Sequence, residues 1–244
     1  PLVMLETQLR EIENHLSIGD DYLPAVRVNF GTGIIAASFG AELSFPENNL
    51  PAVKKPIIDE IGYIKKIKVP DVDSGLIPKI KEWMKIWNNY LPEQIFMQMP
   101  DIQSPFNTAH LLRGTSIFTD FYDSPEYVEL LLDKITDYMI KVVENFNTFS
   151  NQTGRWFCDW GAYWKGAARI SNCSMQMISP ELYKKYVLPR DMRFMKAIGG
   201  GRVHYCGSSK DIINDFFSNS FITGLDFDAG IHDLWEISEI APEN

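Results

Sequence analysis

His204 and Cys206 stand two residues apart in the run Arg202-Val203-His204-Tyr205-Cys206-Gly207. The alternation is that of a strand, which puts the imidazole and the thiol on one face. Gly207 breaks the pattern, and Ser208 or Ser209 then offers a cap for a helix carrying Ile212, Ile213, Phe216 and Phe217. A thiol and an imidazole at the C-terminal end of a strand are two ligands of the kind zinc takes, although zinc sites use three or four protein ligands. Taken alone the pair is a weak motif, because free cysteine is often simply buried. Cys158 and Cys173, the remaining cysteines, read as core or loop thiols.

Other polar residues recur at or just after strand-like runs. Asn29 lies in Ala25 to Phe30, Gln103 follows Gln94 to Met99, Asp159 follows Arg155 to Cys158, and Asp226 with Asp228 closes Ile222 to Phe227. Asp159 or Asp226 could orient His204 through its second ring nitrogen or fill a coordination site; Asp159 could equally cap its own loop. Trp160, Tyr163 and Trp164 form an aromatic loop that either packs or, for Trp160 and Tyr163, lines a broad pocket for a flat ligand. Arg113 suits an anionic substrate group, or a helix terminus or nearby acid. His15, His110 and His232 have no partner pattern and read as structural or exposed.

Amphipathic stretches separate these runs. Ile77 to Tyr90 carries Ile80, Trp83, Met84 and Trp87 on one face, and one helix is expected over Thr108 to Tyr122. Ser124-Pro125-Glu126 and Ser179-Pro180-Glu181 open two more with a cap, an N1 proline and an early acid. One strand candidate falls at Tyr63 to Val69. Strands alternating with helices indicate a parallel α/β fold, either a barrel whose loops meet at one mouth or an open sheet. Neither GxGxxG after the first strand nor GxxxxGK[ST] is present, which disfavours the nucleotide-binding versions.

The 244 residues suit one domain over 1–244. A net charge of −9 argues against nucleic acid as a partner. No run of roughly 18 apolar residues predicts a membrane span, and three widely spaced cysteines suit a reducing cytoplasm. The opening at Pro1 and the close on Ala241-Pro242-Glu243-Asn244 read as those of a fragment.

Gln103-Ser104-Pro105-Phe106, Leu111-Leu112-Arg113-Gly114, Tyr122-Asp123-Ser124-Pro125-Glu126 and Ile178-Ser179-Pro180-Glu181-Leu182-Tyr183 together resemble the uroporphyrinogen decarboxylase superfamily. Val203-His204-Tyr205-Cys206-Gly207 is similar to the His-x-Cys-Gly motif of its methyltransferase branch, the methylcobamide:coenzyme M methyltransferases. The resemblance implies a (β/α)8 TIM-type barrel, of which about six strands are countable here, so a barrel incomplete at the C-terminus. It implies zinc held by His204, Cys206 and a later cysteine; since none follows Cys206, the third ligand is expected outside this chain. It further implies a corrinoid carried by a partner protein and a small thiol or methylated small molecule as substrate. Asn29, Gln103, Arg113, Trp160 and Tyr163 would bind substrate, with Asp159 and Asp226 as catalytic carboxylates. Unpaired strand edges in such a chain suggest a homodimer. A metal-free decarboxylase is the alternative, but it needs cations at the mouth, where Arg27 stands alone near the first strand. A non-catalytic ligand-binding member is the third reading.

Overall fold

The computed structural model describes residues 1–47, 49–150, 155–208 and 210–242. Helix α1 (Leu2–Ile18) ends at Gly19, which takes the left-handed φ of 72° without a Cβ penalty. Strand β1 (Ala25–Val26), the short helix α2 (Ile34–Ser38) and the antiparallel pair β2 (Leu43–Ser44) and β3 (Ala52–Val53) follow. The stretch expected as a strand from Tyr63 overlaps a 3₁₀ turn (Ile61–Lys65) instead. Its buried residues, Ile64 and Ile67, lie three apart, a helical spacing rather than a strand's.

Helix α3 (Ile77–Asn88) buries Ile77, Ile80, Met84 and Trp87 along one face, and β4 (Phe96–Met97) follows it. The single helix expected over Thr108 to Tyr122 is two, α4 (Pro105–Arg113) and α5 (Ser116–Asp123), with Gly114 at φ 72° in the break. Ser104 caps α4 by accepting the Asn107 amide. Helix α6 (Pro125–Asn147) carries the expected stripe, with Val128, Leu131, Leu132, Ile135, Met139, Val142, Val143 and Phe146 all buried.

Residues 155–164, expected as a strand and an aromatic loop, form one hairpin of β5 (Trp156–Asp159) and β6 (Ala162–Lys165). Its two-residue turn has positive φ at both Trp160 (51°) and Gly161 (70°). Two-residue hairpin turns twist this way, but normally with Asn, Asp or Gly first. The parallel strand is the next one, β7 (Ala168–Ser171), whose four residues, Ala-Arg-Ile-Ser, are too short and mixed a run to stand out in the sequence.

The helical rod that Ser179 caps consists of α7 (Pro180–Leu182), a π-helical turn (Tyr183–Val187) and α8 (Leu188–Ala197). The wide turn sits where Pro189 lacks an N–H and crowds the carbonyl four residues before it. Strand β8 (Gly201–His204), α9 (Ile213–Phe217), β9 (Ile222–Asp226) and α10 (Leu234–Ile240) complete the order. Of the two candidate caps, Ser209 lies outside the described residues, and α9 opens later, at Ile213.

β1 pairs parallel with β4, and β7–β8–β9 form a parallel three-stranded sheet; a parallel bridge joins Gln103 to Ser171. The fold is therefore α/β, with parallel strands separated by helices as expected. One continuous core runs from Leu5 in α1 to Phe216 in α9.

Register positions the chemistry. Arg169 pairs with Arg202, and Ser171 with His204, which pairs in turn with Asp226. Successive residues on one face are two apart, so Arg169 and Ser171 share a face with Arg202 and His204. Cys173 lies two residues beyond Ser171 and Cys206 two beyond His204. Neighbouring strands are about 4.8 Å apart, so the two segments leave the sheet side by side, and the 3₁₀ turn that opens at Cys173 (Cys173–Met177) carries its sulfur against that of Cys206.

Candidate metal centre

Among the described residues, Cys173, His204 and Cys206 bring one ligand atom each within 4.8 Å of one another. The two Sγ atoms are 3.0 Å apart, and Cys206 Sγ is 3.6 Å from His204 Nε2. A candidate third sulfur, expected outside the chain, is thus present within it: no cysteine follows Cys206, but Cys173 lies just past the neighbouring strand β7. Cys173 is half-buried and Cys206 exposed. Burial and then the Cys206 contact push the Cys173 thiol up to about 12. Two soft sulfurs and an imidazole fit zinc, and three protein donors leave a fourth position open.

Asp226, in register with His204, accepts a hydrogen bond from Nδ1 at 3.0 Å. That bond places the proton on Nδ1 and turns the Nε2 lone pair toward Cys206. Burial raises the Asp226 carboxyl, but the His204 hydrogen bond and the Arg202 charge outweigh it, and the net shift is downward.

Beneath this level three buried arginines converge, contrary to the expectation that Arg27 stands alone. Asp159, at the hairpin tip, receives close hydrogen bonds from Arg27 and Arg202, and Arg169 Nε lies 3.3 Å from it. Arg169 also binds Asp101 at 3.0 Å, and Arg202 reaches Asp226 at 3.3 Å. Trp164 stacks over Arg202 at 4.4 Å, in the space that Gly224 leaves open. Asp159 thus contacts arginines and not His204. The contacts run without a break from Arg27 through Asp159, Arg202 and Asp226 to His204 and the sulfurs.

A cleft of about 450 Å³ adjoins the Arg27 end, lined by residues that include Gln8, Tyr22, Arg27, Asn29, Gln98 and Trp160. Two of the expected substrate residues, Asn29 and Trp160, meet there. Asn29 also accepts the Gly31 amide, and the exposed Trp160 ring lies 5.7 Å from Arg27. Gln103 is buried, bonded to Asp101 and Asn107. Arg113 is occupied by Asp120 and the Ile58 and Asp59 carbonyls. Tyr163 meets the edge of Phe96. Cys158 is buried, its thiol pushed up to about 12 chiefly by burial.

In the sequence Cys173 reads as a core or loop thiol, and Arg169 and Arg202 are given no role. Arg202 was in view as part of the His204 strand, and Arg169 alternates with Ser171; what was missing was the register that aligns β7 with β8.

The uroporphyrinogen decarboxylase (URO-D) family profile matches residues 22–240. Methylcobamide:CoM methyltransferases MtbA of Methanosarcina acetivorans and Methanosarcina mazei are 27% and 28% identical over 201 residues, 76% of this chain and 52% of theirs. A methylated-thiol–coenzyme M methyltransferase of Methanosarcina mazei is 24% identical over 215 residues, 84% of this chain and 53% of its own. The chain therefore spans about half the length of the curated relatives it matches. A solved methyltransferase from Methanosarcina mazei superposes with a TM-score of 0.72 at 19% identity, covering 94% of this chain and 64% of that one. With the family profile matched over nearly the whole length, the chain belongs to the uroporphyrinogen decarboxylase family.

Proposed function

We propose that this chain is the metal-holding part of a (β/α)8-barrel methyltransferase that moves a methyl group between a corrinoid on a partner protein and a small thiol. The observation that carries the reading is the Cys173–His204–Cys206 cluster, with Asp226 on the other imidazole nitrogen. The relatives' names point to the same chemistry.

Cys173, His204 and Cys206 would hold zinc, which would supply a Lewis acid able to favour the thiolate form of a bound thiol near neutral pH. The acceptor thiol would bind at the open position beside Cys173, His204 and Cys206, and the partner's corrinoid would supply the methyl group. Asp226 holds the His204 tautomer, and Arg202 holds Asp226. Asn29 and Trp160 line the cleft and would meet a bulky ligand there. Asp159 acts as counter-ion to three arginines rather than as an acid or base.

Zinc analysis of the purified chain tests this. One zinc per chain is expected, lost on Cys206→Ser and on Cys173→Ser alike. Methylcobalamin with a small thiol should then give the methyl thioether with the wild type and not with either variant. Zinc retained at full occupancy by both variants would remove the reading. The buried arginines favour a second one, a metal-free acid decarboxylase, which predicts no zinc and no effect of either cysteine.

A further inference from the structure

Asn172 immediately precedes Cys173, and its polar atoms are all engaged in the interior. Its amide donates to the His204 carbonyl at 2.7 Å. Its Oδ1 accepts the Ser104 hydroxyl at 2.8 Å, and its Nδ2 donates to Asp191 at 2.5 Å and to the Tyr183 oxygen at 3.0 Å. Tyr183 donates in turn to Asp191 at 2.7 Å. Asn172 has φ −119° and ψ 41°, outside the extended region, because the chain leaves β7 there. The Asn172 amide makes the last backbone bond from this segment to β8, and beyond it side chains hold the chain.

Asp191 is the costly member. It is fully buried on α8, its Oδ1 has no partner, and no cation contacts it among the described residues. Burial drives its carboxyl up to about 7 against the pull of both hydrogen bonds. A buried acid without a counter-charge is less stable than an apolar side chain of the same shape. What it supplies is direction, since it fixes which way the Asn172 amide points. On the other side of Cys173, the Ser174 amide donates to Asn107 at 2.7 Å and the Ser174 hydroxyl meets His110 Nδ1 at 2.9 Å. Both neighbours of Cys173 are therefore anchored, while its sulfur touches Cys206.

We infer that the buried Ser104–Asn172–Tyr183–Asp191 network is the device that holds the Cys173 sulfur beside Cys206, with Asn172 and Asp191 as positioning residues for the metal centre. The purpose rests on the metal reading above; the positioning itself does not. Partners bonded directly to a ligand are worth about 10–100-fold in metal affinity, and this network, one residue removed from the sulfur, belongs at the low end of that range.

Two measurements separate the claims. Phenylarsine oxide closes a ring onto two adjacent thiols, so its rate on the metal-free chain reports the sulfur pair directly, with Cys206→Ser as the blank. Asp191→Leu should slow ring closure about tenfold, Tyr183→Phe by less, and Asp191→Asn little, because the amide keeps an acceptor for Asn172. Cobalt(II) titration reports the centre: Asp191→Leu should lose about half the thiolate charge-transfer intensity as one of two sulfurs drops out. A merely structural role for Asp191 would lower the melting temperature and leave the arsenical rate alone. Wild-type rates in both Asp191→Leu and Tyr183→Phe overturn the inference. Tyr183→Phe, which removes one hydroxyl and keeps the ring packed, carries the test if Asp191→Leu does not fold. Slowed ring closure with no cobalt bound by the wild type sinks the metal reading and leaves the positioning network standing.

Discussion

Asp191 also makes a prediction in pH. Its carboxyl is raised from 3.8 to about 7, so folding favours the protonated form. The stability linked to this group is fully present below pH ~4 and is lost as the pH rises through about 7. Asp191→Asn removes that dependence, so the variant should gain on the wild type from acid to neutral pH, by at most about 4 kcal/mol. Urea midpoints at pH 5 and pH 8 check this. A wild-type-minus-variant difference that stays flat across the window would show that the acid is not held in an apolar setting. Asp226 runs the opposite way, its carboxyl lowered in the fold. Comparing each variant with the wild type at every pH keeps the two apart.

At the scale of elements, the β5–β6 hairpin inserts Asp159 between three arginines from β7, β8 and the end of β1. Arg169 and Arg202 are direct partners across two strands, and such like charges repel unless an anion sits between them. Asp159→Asn leaves the three cations with Asp101 and Asp226 alone. Breaking a buried ion pair from one side costs about 3–5 kcal/mol, so a marked drop in the urea midpoint is expected, and a change within error would mean that the hairpin is a loose cover. The hairpin was hidden in the sequence because tryptophan, rather than asparagine or glycine, opens its turn. The His204–Cys206 pair was readable because alternation within one strand settles it. Cys173 was not, because its place depends on pairing with a strand about thirty residues later. The helix starts at Pro125 and Pro180 and the buried stripe of α6 were readable for the same local reason as the pair, although of the two expected caps Ser179 accepts an amide and Ser124 makes no side-chain capping bond.

For the whole molecule, a ligand that binds the folded chain and not the unfolded one raises its stability. Zinc at 100 times its dissociation constant would add about 2.7 kcal/mol. In a chain of this size that is about 5–10 °C in melting temperature. The rise should vanish with a chelator and in Cys206→Ser, as read by thermal unfolding with and without metal. Equal melting temperatures throughout would mean that the three donors hold no ion.

The shared register of β7 and β8 sets a parity rule for this molecule. Arg202, His204 and Cys206 face the site because they sit at even steps along one strand, with Val203 and Tyr205 buried on the other side. One residue added or lost after Gly200 would exchange the two sets, turning every donor of that strand away together and pushing Arg202 out of its ion pairs. Two residues would restore the facing but move the histidine by about 6.6 Å, past the level of Ser171 and Asp226. Length change in this strand is therefore never a gradual loss: the first step abolishes the centre, and the second rebuilds a face whose layers no longer meet.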